Sequence, residues 1–87
     1  MTVKLAQVLA TVDDALRGGQ YEAKLGKADE YDVTFCVLDR VSELWKGNVS
    51  YKVSEELELR DAKFAIDAES GDIRLFTLGQ WAWQMQP

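Results

Sequence analysis

Histidine is absent from this 87-residue chain. That absence removes Ser–His and Cys–His nucleophilic pairs and every metal site built on imidazole. Cysteine occurs once, as Cys36, so the chain can form no internal disulfide and no thiolate zinc site. A small domain without covalent staples fits a reducing compartment. Lying between Phe35 and Val37 in an alternating run, Cys36 reads as a packed thiol rather than a nucleophile. The one proline is the last residue, Pro87, so no strand is barred from the centre of a sheet. No stretch approaches the ~18 apolar residues of a membrane-spanning helix. The opening run Met1–Leu9 is interrupted by Gln7 and followed by Asp13-Asp14, which does not fit a signal peptide. The expected location is the cytoplasm.

Basic residues are also scarce. Ten Lys and Arg stand against fifteen Asp and Glu, a formal net charge of −5. Nucleic acids and anionic membrane surfaces are bound mainly through Lys and Arg, so neither is an expected partner. Another protein with a basic surface is. Gly18-Gly19 and Gly47 stand in no Walker or dinucleotide pattern, and no cofactor is expected.

The residues that are present describe an ordinary globular chain. It is 47% hydrophobic and 29% charged, enough for one domain over residues 1–87. Leu5, Val8, Leu9, Val12 and Leu16 form one helical stripe, with Thr2 as N-cap and Gly18-Gly19 as the stop. Asp13 and Asp14 oppose the helix dipole in its last turns, which hints at another use for them or at a solvated face.

From Tyr21 the period changes to two. Tyr21, Ala23 and Leu25 suggest a short strand, and 26–30 a turn. Tyr31, Val33, Phe35 and Val37 make the clearest strand. Asp39 to Lys46 fits either a helical turn or a strand entering a hairpin, and Lys46-Gly47-Asn48 reads as a turn in both cases. Val49, Tyr51, Val53, Leu57 and Leu59 keep one phase, as a long strand bulged near Glu55-Glu56. Ala62, Phe64 and Ile66, the 67–72 connection and Ile73–Phe76 form the best hairpin signal, and Trp81–Met85 alternates as a final strand. The expected fold is α+β: an N-terminal helix packed on an antiparallel sheet of four to five strands.

Carboxylates cluster at Asp29-Glu30-x-Asp32, at Glu55-Glu56-x-Glu58 and over Asp67–Asp72. Acid–base catalysis by such groups needs an enclosed cleft, which a chain of this length does not build easily. The third cluster is similar to a calcium loop, but its glycine is fifth and its twelfth residue is Leu78, so it reads as a turn. No catalytic or metal-binding residue is nominated. Trp81, Trp83 and Met85, on alternate positions, are of the types enriched where proteins bind each other. The other reading is that these tryptophans close the core beneath the helix. Trp45 and Tyr51, flanking Gly47, make a second candidate patch, and Glu55, Glu56 and Glu58 an acidic one.

The stretch Lys63-Phe64-Ala65-Ile66-Asp67-Ala68-Glu69-Ser70-Gly71-Asp72-Ile73 resembles the closing hairpin of PepSY domains. The resemblance implies a helix placed before antiparallel strands and an association with the restraint of peptidases. It carries over no binding residue. The expected function is a small non-catalytic protein-binding module, of the inhibitor or immunity type, that blocks a larger protein. The alternative is a structural subunit whose sheet edge or tryptophan face builds a homodimer.

Overall fold

The computed structural model describes residues 2–54 and 56–82. Helix α1 (Leu5–Arg17) and a four-residue helix α2 (Glu22–Leu25) precede four strands: β1 (Ala28–Asp39), β2 (Leu44–Val53), β3 (Arg60–Asp67) and β4 (Ile73–Leu78). The strands pair in chain order as an antiparallel meander, and α1 packs on one face. This is the α+β arrangement that the two periodicities predict, with four strands. Ala82 ends the described chain outside any strand, and Trp83 and Met85 lie beyond the described residues. Among the described residues no helix is long and apolar enough to cross a membrane.

Val8, Val12, Ala15 and Leu16 are the buried stripe of α1. They meet Val49 and Tyr51 of β2, Ala62, Phe64 and Ile66 of β3, and Phe76 of β4 in one core. A fully buried aliphatic or aromatic side chain contributes about 1.5–3 kcal/mol, so this face carries most of the stability. Leu5 and Leu9 continue the stripe in sequence but are more than a third exposed. The N-cap is Lys4 rather than Thr2. Its backbone N–H donates to the Gln7 side chain, the half of a capping box that a lysine can still make. At the other end Gly19 takes the left-handed backbone (φ 81°) that stops the helix. Asp13 has the further use that its unfavourable position implied: it accepts a hydrogen bond from the Tyr31 hydroxyl at 2.7 Å. Burial, and then that bond, pushes the Tyr31 hydroxyl up to about 12.

Three local expectations are overturned. Tyr21–Leu25 is not a strand but the short helix α2, whose Leu25 plugs the core. The 26–30 turn is shorter than expected, because Ala28 already pairs with Val53. Lys46-Gly47-Asn48 is no turn at all but the middle of β2, and the ambiguous 39–46 segment is the real β1–β2 hairpin. Gly47 sits opposite Phe64, and a Cβ there would lie 2.3 Å from Phe64 Cζ and 2.6 Å from the Phe35 carbonyl oxygen. The glycine serves close approach of a ring, not a change of direction.

Both tight hairpins are tied by an aspartate. Asp39 accepts from the N–H groups of Val41 and Ser42 and pairs with Lys46 at 3.0 Å. Asp67 accepts from those of Glu69 and Ser70 and from Arg74. The Lys46 contact, with the turn N–H groups, lowers the Asp39 carboxyl to about 2, and the Ser70 N–H and Arg74 do the same for Asp67. An unfolded aspartate titrates near ~3.9. The folded form therefore gains from these groups above about pH 4 and loses that gain as pH falls towards about 2. Chemical denaturation between pH 5 and 2 should show the decline, and Asp39→Asn with Asp67→Asn should flatten it.

Candidate interaction surface

β2 stops pairing with β1 and β3 near Tyr51–Val53, and residues 54 and 56–59 lie outside the sheet, between β2 and β3. Leu57 and Leu59, expected inside a continued strand, are 98% and 65% exposed there. A leucine in open solvent is unremarkable alone, but two of them flanking Glu58 on one loop are a small apolar patch inside an acidic run. Glu55 lies outside the described residues, and Glu58 is exposed.

The base of the loop is tied to the sheet and to α2 by one arginine. Arg60 donates from Nε and Nη2, one edge of its guanidinium, to the two oxygens of the Glu56 carboxylate, with Nε–Oε1 at 2.9 Å. Its Nη1 donates to the carbonyl of Leu25 at 3.0 Å, where the buried Tyr51 hydroxyl also donates at 2.6 Å. The Glu56 carboxylate keeps the Arg60 guanidinium firmly charged. So α2, β2 and β3 together hold one arginine, and that arginine holds the loop. A binding loop on a fixed frame loses less freedom on engagement than a floppy one.

The same end of the molecule carries the start of β1. Ala28 pairs with Val53, so Asp29, Glu30 and Asp32 stand beside the loop's departure point. All three are exposed, and none makes a side-chain hydrogen bond or ion pair among the described residues. The first acidic cluster and Glu56 and Glu58 of the second therefore lie at the same end of the sheet. The third, over Asp67–Asp72, is the hairpin turn at the other end.

The tryptophans lie elsewhere. Trp81 crosses the sheet face opposite α1, over the side chains that alternate with the core set. Its backbone N–H donates to Asn48 Oδ1 (2.8 Å), its carbonyl accepts from Asn48 Nδ2 (3.2 Å), and its indole N–H donates to the Phe64 carbonyl (2.9 Å). Lys46 and Lys63 each stand 5.0 Å from its ring. Asn48 and Ala65 on that face are buried, although no helix of the described residues packs there. Trp81 forms neither the core beneath the helix nor a free platform, but a clasp on the sheet's outer side. Beside it runs an open groove lined by Thr34, Phe35, Cys36, Val37, Asn48 and Gln80. Burial raises the Cys36 thiol. Tyr51 belongs to the core and Trp45 packs against it, its indole N–H donating to the Val3 carbonyl at 3.0 Å. With no turn at Gly47, these two do not form a patch around one.

Sequence reasoning nominated Glu56 and Glu58 but assigned Leu57 and Leu59 to a strand, because their phase continues that of Val49, Tyr51 and Val53. The readable signal was the run of three glutamates among them, which suits a loop better than a paired strand. No family model, curated protein or solved structure matches this chain.

Proposed function

We propose that the chain is a non-catalytic binding module that engages a basic protein through residues 56–59, with Leu57 and Leu59 entering an apolar pocket and the neighbouring carboxylates meeting its basic rim. The observation that carries this is the pair of exposed leucines on a loop clamped by Arg60. An inhibitor or immunity-type protein works this way, by covering a larger partner with a small preformed surface. The likeness of the β3–β4 hairpin to that of PepSY domains makes peptidases the first partner class to test. The lone cysteine, with no disulfide to protect, fits action in a reducing compartment such as the cytoplasm.

A photo-cross-linking amino acid at Leu57, introduced in source cells, tests the reading against the same probe at Ala6 on the exposed side of α1. One protein should be captured from Leu57 and not from Ala6, through a Lys- or Arg-rich segment. With the cross-linker moved to Glu58, Leu57→Ser with Leu59→Ser should abolish capture while changing stability by less than about 0.5 kcal/mol, since neither side chain is packed. Equal capture from Ala6, or capture that survives the double substitution, would sink the proposal.

A further inference from the structure

Deepening that reading, and resting on it, we infer that the partner contributes an extended basic segment that adds as a further strand to the edge of β1 along residues 29–33. Among the described residues β1 pairs only with β2, so the other side of its 29–33 run is a sheet edge. An edge strand presents backbone donors and acceptors at regular spacing, and an added strand satisfies them whatever its side chains are. The side chains decide whose strand it is.

β1 is twelve residues long, Ala-Asp-Glu-Tyr-Asp-Val-Thr-Phe-Cys-Val-Leu-Asp, with four carboxylates and no cation. Asp39 is committed to its own turn and to Lys46. Asp29, Glu30 and Asp32 are not committed, and Lys52, opposite Glu30 on β2, forms no ion pair with it. A second copy of this chain is the poorer occupant, because no register of β1 on β1 gives any of these carboxylates a cation, and parallel in-register pairing sets each against its like. A strand with Lys or Arg at alternate positions gives each of them one. The opposite edge differs on every count. β4 has six residues, carries Arg74, and has Tyr21 stacked on its Phe76 at 5.4 Å.

The register also places this edge correctly for the proposed partner. Ala28 lies opposite Val53, so a strand added along 29–33 runs out beside the loop that carries Leu57 and Leu59. One basic segment can reach both. Bulges after Ala28 and Val33 break the edge into short runs, which blunts indiscriminate edge-to-edge pairing and leaves the acidic run as the specific one.

The test is a titration of the isotope-labelled full chain with an acetylated, amidated heptapeptide alternating lysine and valine, followed by amide NMR and hydrogen exchange. Shift changes and slowed exchange confined to residues 29–33 and their immediate neighbours are expected. Affinity should fall about tenfold in Asp29→Asn/Glu30→Gln/Asp32→Asn. It should also be lost when alternate peptide nitrogens are methylated, which keeps the charge and removes the strand's donors. Shifts centred on Trp81 and the groove, or equal binding of the methylated peptide, overturn the inference. If Leu57 captures its partner while the peptide leaves β1 unperturbed, strand addition falls and the binding module stands. If no partner is captured at Leu57, that reading fails in its own experiment.

Discussion

Replacing Phe64 by alanine should cost about 3–5 kcal/mol, as deletion of a fully buried ring does when its surroundings cannot collapse. Phe64 has no exposed surface. Its ring fills the space over Gly47 on one side and meets Phe76, with centroids 5.8 Å apart, on the other. Both neighbours are held by the sheet, so the cavity would persist. A domain of this size has a total stability of about 5–10 kcal/mol, so the variant should sit near its unfolding midpoint at modest denaturant. Urea titration followed by circular dichroism reads this directly. A loss below about 1.5 kcal/mol would mean that the ring is not the keystone described.

The second large effect has an unusual sign. Alanine for glycine within a strand ordinarily stabilises, by up to about 1 kcal/mol. Gly47→Ala should instead destabilise by about 2–3 kcal/mol and lower Tm by about 10–20 °C. The new methyl would fall against Phe64 Cζ, which can shift, and the Phe35 carbonyl oxygen, which cannot without opening the β1–β2 ladder. Adding Phe64→Leu should therefore recover part of the loss but not all of it, so the two changes would not sum. Unchanged or raised Tm in Gly47→Ala would remove close approach as the reason for the glycine.

Where sequence reading succeeded, a local pattern and the tertiary environment asked for the same thing. The stripe Val8, Val12 and Leu16 needed only an apolar seat, and the 62–76 hairpin only its Asp-Ala-Glu-Ser-Gly-Asp turn. Where it failed, the deciding fact was non-local. Lys46-Gly47-Asn48 has turn composition, and nothing near it in sequence announces that Phe64 will lie on the glycine. Tyr21, Ala23 and Leu25 alternate over too few residues to separate a strand from one helical turn. Leu57 and Leu59 stay in phase with β2, but a strand lasts only as long as its neighbours do, and β3 starts pairing at Arg60. Half of the proposed surface was legible, as the glutamates. Its apolar half was hidden by a periodicity that normally means burial.

The chain order of the elements has one more consequence. Every strand pair is a hairpin, so the sheet can zip from adjacent segments without long searches. The helix cannot dock so early: its seat is built from residues of β2, β3 and β4, and is complete only with Phe76. At about 5–20 residues per second, a ribosome takes several seconds to move from Leu16 to Phe76. Throughout that interval Val8, Val12 and Leu16 ride on a nascent amphipathic segment whose seat is still incomplete.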